Sequence, residues 1–422
     1  MNPSENDYVQ RVFDIWVMEP RLPTPEEKIW IPSNPELGLQ ADRDRQWSAE
    51  DWENLNFPSY LVPTEIETHV NCEKVKEVLD SLSSSDPQAD RLLLSQVYRD
   101  LTEGCDSKVG HPGTSLTRTP NSFEDPSVDV PRILDALATE VKSQRTAGPF
   151  EPGTVKDAKV NGFLSIVKAD GSQRQVGNMA APRGLSFKDG IPEEALKEWQ
   201  VYQTTAKQIS TMIANAGEGA IMSCSDMVVA YKCLPVKKDQ RRLQVFELIG
   251  KEFVDLRLVF GDKRACLLYD RFHHCLLKFF ITPRAPIPQC WLGRTIDDVT
   301  TVAPKEARHV TERFVASYRD VLGELGIGAA AEDKGRHKAF DGATSGEVLG
   351  IWFDSVSMTW KLPDKKLHHL LAFLRNHAKD GRMNLNTVEI IHGKLSHLGQ
   401  LAPPLESTHG GTDPGAPVLS RA

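Results

Sequence analysis

Apolar positions recur at helical spacing in some stretches of the chain and at strand spacing in others. Val75, Val78, Leu79 and Leu82 share one helix face within residues 66–102; residues 81–86 interrupt that helix and residues 92–101 resume it. A short helix is expected over 131–143, between two Gly/Pro-rich stretches at 103–131 and 147–154 that read as linkers. From about residue 160 the texture changes. Residues 163–168 and 173–177 read as strands around an Ala169-Asp170-Gly171 turn. A long helix is expected over 192–215, strands over 219–226 and 253–259, and a helix over 261–279. Residues 291–302 read as a strand, a turn and a second strand. Residues 304–325 read as a helix with Ala307, Val310, Phe314, Tyr318 and Leu322 in line, Pro304 at its start and Gly326 as its cap. A hairpin over 348–353 and 356–362 precedes helices over 364–378 and 387–401, the last opened by Asn386 with Glu389. The expected class is α+β.

The two ends read differently. Trp16, Trp30, Trp47 and Trp52, four of the eight tryptophans, lie in a polar, Pro-rich stretch up to residue 65, expected to be an extended arm that packs its aromatics on another surface. Residues 403–422 are Pro/Gly/Ser-rich and are expected to be a disordered tail. The domain expectation is an acidic, partly disordered N-terminal region (1–150), a body at 151–345, a hairpin-and-helix unit at 346–402, and the tail.

Composition removes several classes. No run of about 18 apolar residues is present, so no transmembrane helix is expected, and the acidic N-terminus does not read as a secretory signal. Seven cysteines without a Cys-x-x-Cys pair argue against a disulfide framework or a zinc ribbon; an intracellular setting, nucleus or cytoplasm, is expected. The net charge of −8 is unevenly spread. Residues 1–150 carry 14 basic and 27 acidic side chains, the remainder 36 and 31, so only the later part can approach a polyanion. His273-His274, His368-His369, His392 and His397 have no Cys partners and are expected on helix surfaces, structural or solvated.

Three acids stand out. Asp226 ends an apolar strand, and Asp297-Asp298 sit at the tip of the second hairpin. Neighbouring side chains on a strand face opposite ways, so adjacent acids in apolar surroundings need a turn or a metal. A solvated turn is the ordinary explanation of such a pair taken alone.

The order of motifs around these acids resembles a reverse transcriptase, most closely the type found in DIRS-like retrotransposons, over residues 160–402. Val167-Lys168 through Arg174 resembles the fingers hairpin, Asp189-Gly190-Ile191 the segment after it, and Asp226 with Ala230-Tyr231 the first carboxylate motif. Phe260-Gly261 through Ala265 resembles the template-positioning motif and Ile296-Asp297-Asp298 the paired-carboxylate motif. Leu349-Gly350-Ile351 and Met358 through Pro363 resemble the primer-grip hairpin and its continuation. The resemblance implies a right-hand polymerase: a palm of antiparallel sheet backed by helices, fingers (with the palm, 151–345) and a short thumb (346–402). It implies template-directed DNA synthesis on an RNA or DNA template with a primer, taking dNTPs, with two Mg²⁺ or Mn²⁺ ions. Asp226 and Asp297 would be the main metal ligands with Asp298 in support. Lys168 and Arg174 would contact the triphosphate, Tyr231 would lie beneath the sugar, Gly261 would admit the nascent base pair, and Lys334 would donate a proton to pyrophosphate. Lys168 and Arg174 read equally well as a solvated hairpin, Tyr231 as a core tyrosine, Gly261 as a turn and Lys334 as a surface lysine. In three places the chain departs from the pattern: Thr295 replaces an aromatic, Cys266 a proline, and residues 281–292 hold three prolines where a strand is usual. These departures keep a second reading open, a degenerate remnant that binds nucleic acid or protein without catalysis.

Overall fold

The computed structural model describes residues 49–83, 85–110, 130–167, 173–228, 230–331, 339–378, 385–399, 401 and 420–421. Helices α1 (Ala49–Asn54), α2 (Cys72–Ser81), α3 (Gln88–Thr102) and α4 (Val130–Lys142) precede strands β1 (Thr146–Phe150), β2 (Val160–Val167) and β3 (Gln173–Asn178). Then come α5 (Ala206–Ala216), β4 (Ile221–Asp226), β5 (Val245–Leu248) and β6 (Lys251–Asp255). Helix α6 (Ala265–Cys275) runs on as a π-helical turn (Leu276–Ile281). After it follow β7 (Trp291–Thr295), β8 (Asp298–Ala303) and α7 (Arg308–Glu324). Strands β9 (Phe340–Ala343), β10 (Ser345–Val348), β11 (Ile351–Asp354) and β12 (Thr359–Lys361) lead to α8 (Asp364–Ala378) and α9 (Leu385–Gly399). Among the described residues no helix is long and apolar enough to cross a membrane.

The fold is α+β, built on antiparallel sheets backed by helices. The central sheet has the order β7-β8-β4-β9, antiparallel throughout. On one face Met222, Cys224 and Val302 pack with Ala206, Ile209 and Ile213 of α5. On the other, Val299 packs with Phe314 and Tyr318 of α7 and with α6. Phe314, Val321 and Leu322 are fully buried, each worth roughly 1.5–3 kcal/mol of apolar burial. Helix α7 stops at Gly326, whose φ of +73° and close approach to the His69 carbonyl leave no room for a Cβ. A second sheet, β1-β6-β5-β2-β3, is antiparallel except for the β2–β5 pair; the hairpins β10-β11-β12 form a third, to which β13 (Ser420–Arg421), within the stretch expected to be a disordered tail, adds in parallel with β12.

Several elements depart from the pattern-based expectation. The helix expected over 192–215 is only a 3₁₀ turn, Glu193–Leu196, followed by α5. Before α5 the chain is held extended against β7, with Thr204 N donating to the Arg294 carbonyl (2.7 Å). A Thr205–Gln208 capping box then starts the helix afresh. The linker expected at 147–154 contains β1, whose Thr146 pairs with Asp255. Leu349-Gly350 is a two-residue turn with φ of +52° and +82°, so Val348 closes β10 instead of opening the next hairpin. The prolines of 281–292 all precede β7, which starts at Trp291. Helix α9 opens at Leu385, ahead of the Asn386 cap expected for it.

The first 150 residues contribute to the body. Trp52 is buried against Phe57 and Phe253 but sits in helix α1, where an extended arm is expected from sequence; Trp16, Trp30 and Trp47 lie outside the described residues. Helix α3 packs on α6 through a buried Asp100–Arg271 pair (2.5 Å), and Ser107, fully buried, donates to Asp262 (2.5 Å).

Candidate metal centre

Antiparallel pairing places Asp226, the last residue of β4, directly opposite Asp298, the first of β8. Directly opposed residues share a face, so both carboxylates leave the sheet on the same side, beyond Cys224 and Thr300. Asp297 stands in the two-residue turn that joins Thr295 of β7 to Asp298. One oxygen from each of the three carboxylates lies within 4.8 Å of the others, and all three residues are half-buried. The strand that carries Asp226 is prolonged past its end. The Asp226 carbonyl accepts from Ala330 N (2.9 Å), Met227 bridges to Ala329, and Val228 N donates to the Gly328 carbonyl (2.9 Å).

Beneath the acids lies a layer of aromatics. Tyr318 of α7 is fully buried, and its phenol is pushed well up by burial and then by Asp226, Asp297 and Asp298. Tyr269 is likewise raised, first by burial, with Asp297 and Asp226 adding to it. Cys224 is pushed up to about 12 by burial and next by Asp298, so it stays a thiol at neutral pH. The donor set is therefore all carboxylate oxygen. Three hard oxygen ligands on one small patch fit Mg²⁺ or Mn²⁺, which keep waters and take further oxygens from a phosphate.

The other residues singled out from sequence fall in three places. Tyr231 is buried in the 3₁₀ turn Ala230–Cys233, edge-on to Phe260 (centroids 4.9 Å) and to Tyr269 (5.3 Å), with its phenol raised by burial and by Cys266. Phe260 itself is 44% exposed, so the Tyr231–Phe260 pair runs from the core to the surface. Gly261 has φ of +104°, and a Cβ there would meet Met179 Cβ at 3.1 Å and the Gly177 carbonyl at 3.2 Å. Its glycine character thus has a reason inside the chain, the close passage of the β3 end. Arg174 lies in β3 opposite Ile166. Lys168 and Lys334 lie outside the described residues. Thr295 turns its hydroxyl to the Thr204 carbonyl (2.8 Å).

Sequence reading missed His273. Expected on a helix surface, it is fully buried in α6, and its Nδ1 lies 2.6 Å from the Ile296 carbonyl oxygen in the turn beside Asp297. Helical spacing gave it away only in part: Tyr269, Phe272 and Leu276 flank it on the buried side of α6.

No family model matches the chain, and no curated protein matches it in sequence. Among solved structures it is similar to the foamy viral protease-reverse transcriptase dRH in complex with double-stranded DNA, at 15% identity and a TM-score of 0.46, over 80% of this chain and 54% of that one. It is also similar to the foamy viral protease-reverse transcriptase in complex with double-stranded DNA (13%, TM-score 0.45, 83% of this chain and 66% of that one). A third is the same foamy viral protein with an RNA/DNA hybrid (14%, TM-score 0.45, 81% and 41%). The chain spans about half the length of the first of these.

Proposed function

We propose that this protein is a template-directed DNA polymerase of the reverse transcriptase type, of the DIRS-like kind its motif order resembles. The observation that carries the reading is the convergence of Asp226, Asp297 and Asp298 from β4 and the β7–β8 turn. Residues 151–345 would act as fingers and palm and 346–402 as primer grip and thumb. The reaction joins the primer 3′-oxygen to the α-phosphorus of a dNTP and breaks the bond to the β-phosphate, releasing pyrophosphate. Asp226 and Asp297 would hold two divalent ions, with Asp298 in support; such ions, when bound, offset the charge that develops on the attacking and leaving oxygens. Tyr231 would lie beneath the sugar and exclude a 2′-hydroxyl by size, a role supported by its edge-on contacts to Phe260 and Tyr269. Lys168 and Arg174 would hold the triphosphate by charge, and Lys334 would supply the proton that pyrophosphate needs on leaving. Gly261 keeps the floor of the site close to β3.

Primer extension on poly(rA)·oligo(dT) with Mg²⁺ or Mn²⁺ tests this. Metal-dependent incorporation that Asp297→Asn abolishes supports the reading; absence of incorporation with both ions sinks it. One observation favours the remnant reading: Thr295 is tied back to Thr204 at a position where the family keeps an aromatic. A catalytically silent chain whose nucleic-acid binding weakens steeply with salt would establish that second reading.

A further inference from the structure

We infer that His273 is a positioning residue of the carboxylate centre: its Nδ1–H holds the Ile296 carbonyl and so fixes the strained turn that aims Asp297. This rests on the reading of the three acids as a metal site.

Ile296 is β-branched, yet its φ is +52°, a left-handed conformation that such residues avoid. A turn held there persists only where its surroundings over-determine it. Here the two flanks are pinned separately. On the β7 side, the Thr295 hydroxyl donates to the Thr204 carbonyl at 2.8 Å. On the helix side, His273 Nδ1 reaches the Ile296 carbonyl at 2.6 Å. A carbonyl only accepts, so Nδ1 carries the proton. Nε2 then keeps a lone pair, and the Tyr318 hydroxyl lies 3.4 Å from it, as the donor that fits. The ring has no exposure to solvent and is packed between Tyr269 (centroids 5.6 Å) and Tyr318 (6.2 Å). Burial holds its pKa at about 3, so the neutral ring with this tautomer is the form present at neutral pH. Tyr269 in turn touches Tyr231. One aromatic layer thus joins the wall of the proposed nucleotide site to the turn beside Asp297. The order matters because a carboxylate displaced by about an ångström no longer serves a preformed metal site.

The test is Mn²⁺ binding to the full chain, read from the electron paramagnetic resonance of free Mn²⁺, with thermal stability measured in EDTA beside it. The wild type is expected to bind Mn²⁺ and Asp297→Asn to lose it. His273→Phe, which keeps an aromatic but no donor, is expected to bind roughly tenfold more weakly. His273→Asn, whose amide stands where Nδ1–H was, is expected to stay within about threefold of wild type. Adding Ile296→Gly to His273→Phe is expected to restore affinity, because glycine adopts a positive φ without strain. If His273→Phe fails to fold, Tyr318→Phe replaces it, with a loss of about threefold expected. Wild-type affinity in His273→Phe (or in Tyr318→Phe, where that stands in) overturns the inference alone. So does an equal loss in His273→Phe and His273→Asn that Ile296→Gly does not repair, which marks a packing role. A wild type that binds no Mn²⁺, or binds it regardless of Asp297, overturns the metal reading and this inference with it.

Discussion

Asp226 and Asp298 are direct partners across the β4–β8 ladder, with Asp297 one residue further into the turn. Like charges placed opposite each other on neighbouring strands destabilise a sheet by a few tenths to about 1 kcal/mol. The pairing lies at the end of the central sheet, where Met222, Cys224 and Val302 are buried just behind it. Asp226→Asn and Asp298→Asn are each expected to raise the urea midpoint in EDTA by a corresponding amount. Mg²⁺ or Mn²⁺ should stabilise the wild type by mass action, and the Asn variants should lose that increment. Variants no more stable in EDTA and equally responsive to metal would contradict a metal centre here.

Gly261 is expected to tolerate no side chain. Its φ of +104° is costly for alanine, and the added Cβ would press on Met179 Cβ and the Gly177 carbonyl. Gly261→Ala should therefore destabilise by about 1–3 kcal/mol, measured as a shift in urea midpoint at constant slope. A neutral substitution would mean that the β3 end moves freely away from residue 261.

The burial of His273 makes stability depend on pH in a defined direction. Its pKa lies near 3 in the folded chain against 6.5 for an exposed histidine, so between these values the unfolded state binds the extra proton. Stability contributed by the neutral ring is present above about pH 6.5 and is lost as pH falls toward 3, at up to about 1.4 kcal/mol per pH unit. His273→Asn cannot take up that proton. Its urea midpoint, lower than wild type at pH 7, should converge on the wild-type value as pH drops to 5. Parallel curves would show that the ring is solvated and titrates normally.

Asp226 is legible in sequence because it ends an apolar strand, and Asp297-Asp298 because they break the run between two strands, positions that local pattern fixes. The alternation of β7 and β8 puts Asp297-Asp298 at a hairpin tip; the ladder gives Asp298 to the first position of β8 and leaves only Asp297 of the pair in the turn. What pattern did not reveal depends on partners far along the chain. Residues 197–205 look helical, but Thr204 is claimed by Arg294, and no local preference reports that contact. Thr146–Phe150 reads as a Pro/Gly linker, yet its backbone completes the edge of a sheet against β6, some hundred residues later. Leu349 takes a positive φ that its side chain argues against, which hid the turn and moved the hairpin. Without a Cys partner in sequence His273 reads as a structural or solvated residue of a helix surface; a partner carbonyl in the turn beside Asp297 lets it be buried.

The N-terminal region is expected to support the site. Ser107 lies in a buried segment whose backbone N donates to Gln240 Oε1 (2.9 Å), while its hydroxyl donates to Asp262, the residue after Gly261. Asp262 in turn accepts from Arg264 N at 2.7 Å, at the start of α6. Its carboxyl is raised by burial, and the Ser107 hydroxyl is the largest opposing influence. Ser107→Ala removes that donor and leaves a buried carboxylate short of a partner, which costs about 1–3 kcal/mol. The sign with pH follows. With its folded pKa raised further above the unfolded value, Asp262 is tolerated when protonated and penalised when ionised, so stability is lost as pH rises through the folded pKa. The deficit of Ser107→Ala relative to wild type should therefore be larger at pH 7 than at pH 4.5, measured by urea denaturation at both. A deficit that is equal at the two values would show that Asp262 stays ionised throughout. A deficit absent at both would show that the other contacts of the 104–110 segment, to Pro235, Lys237, Gln240 and Gly190, suffice to hold it.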